Sequence, residues 1–409
     1  YVSQICKNAE ITRTTFYLHY SNLDEVFFET LDEALEISKN NRVLYINTPL
    51  DYATLLKRNK NAAYHYKVDV IKKRQAYIRQ IKKNLWVADC PFIIPSINML
   101  PTAWLFDYFN KCNNKKIGNF ILKVVKELNF RNFIHLIDTD IYRSQYLKEI
   151  IKPDISIYYC RDFVIGTKYW KKNGTRLEPL LAKKSDLVLA NSSYFVEHFI
   201  KLNPNTYGLE TGVNLELYDI TKQRHIPEDI KNIPSPIIGY VGSLTTIRLD
   251  IELLYQIAQQ RTNYNFVFVG PEDNVFIQHP LHKLKNVYFL GGKDIEELPD
   301  YIEQFDVCMN PQILNDITIG NYPLKIDEYL AMGKPTVATE THTMRDIFSK
   351  YVFLATNVDE YLTAIDQALT EINDLEKKKE RIDFAHTHSW TNSVNKIYHS
   401  IELFKNSKI

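Results

Sequence analysis

Glu328 lies five residues beyond Pro323 and eight beyond Gly320, inside TIGNYPLKIDEYLAMGKPTVATE (318–340). Proline suits the first helical position, where its missing N–H costs nothing, and Gly333 closes the helix as a C-cap. The amides around Pro323, Leu324 and Lys325, at the positive end of the helix, suit a phosphate. Gly320 lets the backbone come close to a bound group. Glu328, about one turn further in, cannot face a phosphate, but it can accept hydrogen bonds from the vicinal hydroxyls of a ribose. Amides for phosphate and a carboxylate for sugar make a nucleoside diphosphate site. The plain alternative is a solvated helix glutamate beside an ordinary capping glycine.

Three further stretches bear on the choice. GYVGSLTTIRLD (239–250) ends a strand at Gly242 and Ser243 and then brings Arg248, a cation for a diphosphate, to the same sheet edge. FVGPED (268–273) again ends a strand in glycine, Gly270, where a base can rest. FDVCMNP (305–311) delivers Asn310 to the carboxyl edge, where open parallel sheets bind their ligands.

These residues need a scaffold, and from Pro236 onward the pattern supplies one. PIIGYVGSL, NFVFVG, NVYFLGG, FDVCMNP, PTVATE and YVFLA read as strands, separated by helical stretches such as LDIELLYQIAQQ and IEELPDYIEQ. Such alternation implies a doubly wound parallel sheet over 236–375. A less regular set precedes it: RVLYINTP, NFIHLIDTD, ISIYYCRD, SDLVLANS and TYGLETGVN. PEDIKNIPSP (227–236) reads as the linker, and SWTNSVNKIYHSIELFK (389–405) as a terminal helix.

Bulk properties are those of a folded soluble protein. The chain has 409 residues, 45% apolar and 24% charged, enough for two domains. Net charge is +1, so overall electrostatics select no partner. Five scattered cysteines without a C-x-x-C pair fit reduced thiols, not a disulfide framework or a zinc site. No apolar run is long enough to span a membrane. No signal peptide opens the chain, which starts at Tyr1, as a fragment would. Residues 51–83 hold ten basic residues against two acids, Asp51 and Asp69. The run reads as a solvated helix face; the sharper reading is a patch for anionic lipid head groups.

GYVGSL, FVFVGPED, NVYFLG, LPDYIEQFDVCMNP and NYPLKIDEYLAMGKPTVAT, in this order and spacing, resemble the nucleotide domain of GT-B glycosyltransferases of the family 4-like group. SDLVLANSSYFVEHF followed by ETGVNLELYD resembles the end of that group's acceptor domain. The resemblance covers roughly 42–405. It implies two facing Rossmann-like domains with a cleft between them: an acceptor domain over 41–226, a donor domain over 236–375, and a segment over 376–409 whose helix returns to the first domain. The family's glutamate pair falls on Gly320 and Glu328, so only the ribose-binding member is present and the donor sugar is left open. The implied activity moves a sugar from a nucleotide diphosphate to a glycan or lipid-linked acceptor. No cofactor and no metal are expected, because helix amides, Arg248 and Lys325 can stabilise the leaving diphosphate. If the reaction inverts, Asp162 is the candidate base, with Asp138 and Asp140 lining the acceptor side. The D-x-D of IDTD (137–140) is read as chance and not as a metal clamp, and His135 as a core residue. Residence in the cytoplasm, peripheral at the inner membrane face, follows from the implied acceptor.

VSQICKNAEITRTTFYLHYSNLDEVFFETLDEAL (2–35) separately resembles the helices of a truncated TetR-type regulator, giving a short helical segment over 1–40. There Thr14, Thr15, Tyr17 and His19 would approach DNA. The usual first helix is missing and no helical dimerisation domain follows, so DNA binding is not expected as an activity. The rival local reading is a strand, TTFYLHYS, and a helix completing the acceptor domain; a misassembled gene is a third. Two alternatives to glycosyl transfer stand beside it: a DNA-binding regulator, and a GT-B nucleotide-sugar epimerase or binding protein.

Overall fold

Strands that are apolar on both faces must be covered on both faces. IIGYV, NFVFV, VCMN and TVAT are buried at every position. The computed structural model describes residues 32–56 and 62–407. Most of the helix-turn-helix reading, with Thr14, Thr15, Tyr17 and His19, lies outside the described residues; 32–37 are helical. The chain divides into two compact units. Of the described residues, one unit holds those up to 191 with 195–209 and 394–407, and the other holds 192–194 with 210–393.

The first unit contains β1 (Val43–Asn47), β2 (Ile78–Lys82), β3 (Leu85–Asp89), β4 (Ile134–Asp138), β5 (Ile155–Cys160), β6 (Leu187–Ala190) and β7 (Thr206–Gly208). Sheet order is β1-β3-β2 in one group, with β2 antiparallel, and β4-β5-β6-β7, all parallel, in the other. The helix Trp390–Asn406 covers one face: Ile397, Ile401 and Phe404, one helical stripe, pack with Ile155, Ile157, Tyr159, Leu187 and Leu189.

β2 and β3 correct the sequence reading, which placed a single solvated helix face over 51–83. Its described residues instead form two helices (Tyr52–Leu56 and Ala62–Ile71), an exposed turn at Lys72–Arg74 and an edge strand. Two of its cations point inward. Lys67 Nζ donates to the Thr48 carbonyl at 2.8 Å, and burial lowers its pKa to about 8. Arg79 pairs with Asp89 at 3.0 Å and lies 3.8 Å above the Tyr66 ring. Lys57, Arg58 and Lys60 lie outside the described residues.

The second unit carries β8 (Ile237–Val241), β9 (Asn265–Val269), β10 (Val287–Phe289), β11 (Val307–Asn310), β12 (Thr336–Thr339) and β13 (Phe353–Ala355). They form one parallel sheet in the order β10-β9-β8-β11-β12-β13. Sequence order runs outward in one direction from β8 and in the other from β11. The reversal between these two strands is the topological switch point, beyond whose carboxyl ends such sheets bind ligands.

Candidate nucleotide site of the second unit

The loops after β8, β9 and β11 are zipped together at that switch point. Gly242 N–H donates to the Val269 carbonyl at 2.9 Å and Leu244 N–H to that of Pro271 at 2.8 Å. Asp273 accepts from both the amide and the hydroxyl of Thr246, at 2.8 and 3.1 Å. Gly242 (φ +140°) and Gly270 (φ +156°) adopt backbone that other residues avoid, and a side chain on Gly270 would collide with the Gly242 carbonyl. Arg248 is half-buried, and its carbonyl accepts from Ile313 N–H at 2.9 Å, tying it to the loop after β11. Asp250 N–H bonds the Pro311 carbonyl at 3.0 Å in the same seam.

The helix Leu324–Ala331 enters this loop cluster. Pro323 is its N-cap (φ −87°, ψ 85°), not its first helical residue as the sequence reading has it; Leu324 takes that place. The carbonyl of Pro323 accepts from Ile326 N–H at 2.9 Å, so the chain turns tightly at this point. No side chain caps the end. Lys325, Glu328 and Tyr329 stand on one face by their i, i+3 and i+4 spacing. The Tyr329 hydroxyl accepts from Val241 N–H at 2.9 Å, which turns this face toward the end of β8. Lys325 is buried, its Nζ 5.5 Å from the centre of the Tyr240 ring, and its Cε would lie 3.1 Å from any Cβ placed on Gly242. Glu328 is half-buried on the same face.

The predicted residues of this unit thus fall at the ends of β8, β9 and β11 and at one helix mouth. Asn310, the last residue of β11, is 1% exposed, and neither atom of its side-chain amide has a hydrogen-bond partner. Gln312 Oε1 and Asn321 Oδ1 share that condition nearby in sequence. An unsatisfied buried polar group costs about 1–3 kcal/mol.

Gly320, where the resemblance places a glutamate, is buried. Its carbonyl accepts from the Ser192 hydroxyl at 2.7 Å, and the space a Cβ would need is filled by the ring of Tyr194. Ser192 and Tyr194 lie within SDLVLANSSYFVEHF, but nothing local ties them to Gly320, 128 and 126 positions further on. It also left unused Asp327, which precedes Glu328. Asp327 is fully buried, takes the Tyr322 hydroxyl at 2.5 Å and meets His388 Nδ1 at 2.7 Å. Burial raises its pKa, against the pull of His388 and Tyr322. The pair fastens the helix to the residue before Ser389 and so fixes the rotation that presents Glu328.

In the first unit, Asp138 ends β4 and accepts from Arg161 Nε at 3.0 Å, while Arg161 also pairs with buried Glu33. Asp140 instead pairs with Arg143 at 3.1 Å. The two aspartates of IDTD therefore turn to different arginines. Asp162, two residues past β5, is buried and its carbonyl accepts from Val164 N–H at 2.8 Å. His135 Nδ1 is buried without a hydrogen bond, and burial lowers the ring's pKa to about 4, so it is neutral at physiological pH.

This fold, with these loops at the switch point, is that of a GT-B glycosyltransferase. The family described as Glycosyl transferases group 1 matches residues 235–371, the stretch that forms the sheet of the second unit. TuaH of Bacillus subtilis (strain 168), assigned to teichuronic acid biosynthesis as a glycosyltransferase, is 26% identical over 263 residues, 60% of this chain and 66% of TuaH. A 41.2 kDa protein of the Klebsiella pneumoniae cps region is 25% identical over 257 residues, 58% of this chain and 68% of that protein. The matches thus span about two thirds of each relative's length. Among solved structures, Anabaena HepE in complex with UDP and glucose has a TM-score of 0.62 at 15% identity, covering 94% of this chain and 97% of its own. Sucrose-phosphate synthase of Thermosynechococcus elongatus has a TM-score of 0.64 at 15% identity, covering 93% of each chain.

Proposed function

We propose that the protein transfers a sugar from a nucleoside diphosphate donor, UDP in the first instance, to a polysaccharide or lipid-linked acceptor. The carrying observation is the placing of Lys325 and Glu328 on one helix face against the Gly242 loop at the switch point. The diphosphate rests on the amides of Leu324 and Lys325, with the Lys325 ammonium and Arg248 neutralising it as it leaves. Gly242, Ser243 and Gly270 let backbone approach the nucleotide, and Glu328 accepts from the ribose hydroxyls. Asn310 serves the hydroxyls of the transferred sugar. With two cations at the leaving group, the reaction as drawn uses no metal and no cofactor. Asp162 of the first unit is assigned the base for an inverting reaction, with Asp138 and Asp140 held by arginines on the acceptor side.

UDP is the choice because HepE binds UDP with glucose. A cell-envelope glycan is the choice of acceptor because TuaH is assigned to teichuronic acid biosynthesis. Such an acceptor places the protein in the cytoplasm, peripheral at the inner membrane face. A thermal-shift panel of nucleoside diphosphates and their sugars tests the donor. UDP and one UDP-sugar should raise the melting temperature, and a panel without any shift would refute the assignment. Incubation with labelled donor then separates transfer from epimerisation, since only transfer moves label into an extracted glycan or lipid.

A further inference from the structure

We propose that the helix Ala103–Glu127 and the segment beside it form a docking surface for an anionic lipid bilayer. Single exposed apolar residues are ordinary, but a cluster of large ones is not. Trp104 is 69% exposed, Tyr108 63% and Met99 72%, and Trp104 and Tyr108 stand one turn apart on one helix face. Tyr52 (54%) and Leu56 (81%) belong to the neighbouring helix Tyr52–Leu56. Both helices grip the same loop. Tyr52 N–H bonds the Ile94 carbonyl at 3.3 Å and Ala53 N–H the Ser96 hydroxyl at 2.8 Å. From the long helix, Asn113 Nδ2 bonds the Pro95 carbonyl at 3.2 Å and Lys116 Nζ that of Ile93 at 3.0 Å.

The charge pattern selects the occupant. The long helix spans about 37 Å. Its buried side carries Phe106, Asn110, Ile117, Phe120, Ile121 and Val124. On its exposed side Trp104 and Tyr108 are followed by Lys111, Lys115, Lys116, Lys123 and Lys126. Its two acids are both neutralised: Asp107 by Arg176 at 2.7 Å, and Glu127 by Lys123 at 3.7 Å with the Tyr77 hydroxyl at 2.8 Å. Lys123 is engaged with Glu127 and Lys116 with the Ile93 carbonyl, which leaves Lys111, Lys115 and Lys126 as the exposed cations that follow the aromatic rings, and rings that bridge apolar and wet surroundings beside such cations fit the head-group region of an anionic leaflet. A protein partner buried against this face would have to match a row of lysines with acids, and nothing in the pattern of Trp104, Tyr108 and Met99 calls for that. Of the 51–83 run this surface uses only Tyr52 and Leu56 and none of its cations, of which Lys67 and Arg79 point inward. The inference deepens the proposed membrane-linked acceptor and rests on it for its purpose. Its measurement, however, involves no sugar transfer, so the two can fail separately.

The test is flotation of the full-length protein with phosphatidylcholine vesicles, with and without phosphatidylglycerol, at low and high salt. Wild type should float only with the anionic vesicles, and less so at high salt. Lys111→Ala with Lys115→Ala should lower partitioning about fivefold per lysine lost. Trp104→Ala with Tyr108→Ala should lower it further at unchanged charge, while the cooperative thermal melting transition of the protein alone stays as in wild type and reports an intact fold. Equal recovery with neutral and anionic vesicles would overturn the inference, as would variants that float like wild type. A wild-type dimer in sedimentation that Trp104→Ala with Tyr108→Ala dissociates would also overturn it, since the face would then pair two copies of the chain.

Discussion

Replacing Glu328 by alanine removes the one carboxylate that the account aims at the ribose. The side chain is half-buried, on the face that Tyr329 and Lys325 turn toward the end of β8. A hydrogen bond to a charged acceptor contributes about 1.5–3 kcal/mol net, and two such bonds to vicinal hydroxyls do not add fully at a partly hydrated site. The expected loss for UDP is therefore about 1–3 kcal/mol, or about five- to 150-fold in Kd. Isothermal titration reads it directly. Glu328→Gln, which keeps one acceptor oxygen, should fall between wild type and alanine. The sharper readout is selectivity. Wild type should prefer UDP over 2′-deoxy-UDP, and Glu328→Ala should bind the two alike. An unchanged Kd for UDP in Glu328→Ala, or a preference for the ribonucleotide that survives the substitution, would refute the reasoning even if the variant proved inactive.

Three further outcomes follow from the same geometry. Gly242→Ala forces a side chain into φ +140° and against Lys325 Cε, so UDP affinity should drop at least tenfold and stability by about 1–2 kcal/mol, read by titration and thermal melting. His388→Ala strands the buried carboxylate of Asp327 and should cost about 3–5 kcal/mol in denaturant unfolding, whereas His388→Asn should cost less. Glu178, 2% exposed and holding the Tyr158 hydroxyl at 2.6 Å, has its carboxyl raised by burial from 4.5 to about 7. Between those values the folded state binds more protons than the unfolded one. Its contribution is therefore complete below pH 4.5 and is lost as pH rises through about 7, a change of at most about 3 kcal/mol. Glu178→Gln, measured by denaturant unfolding across pH 4.5–8, should remove that part of the slope; a slope equal to wild type would exclude Glu178 as its source.

How far the sequence could be read depended on where each feature's partners lie along the chain. β8, β9, β11 and β12 were plain because a strand buried on both faces must be apolar at every position, and IIGYV, NFVFV, VCMN and TVAT are nearly so. The site glycines were legible for a related reason: a glycine ending an apolar strand marks the sheet edge where ligands sit. β2 escaped because IRQIK is a half-exposed edge strand whose charges look like a solvated helix face. Only the contact of Arg79 with Asp89 and the Tyr66 ring shows why a cation is tolerated there. Asp327 escaped for want of its partner, since His388 is 61 residues away and nothing local says that the carboxylate faces inward. Gly320 was legible as a departure from the family pattern, but its reason, the ring of Tyr194, is again a distant contact. Pro323 was misplaced by one position because proline is equally at home in the first helical turn and just before it.

The most direct test of the central claim is a crystal structure of the protein with UDP. The diphosphate should lie against the amides of Leu324 and Lys325, within reach of the Lys325 ammonium and Arg248, with both ribose hydroxyls on the carboxylate of Glu328. A nucleotide bound away from the carboxyl ends of β8 and β11, or one whose ribose leaves Glu328 untouched, would contradict it.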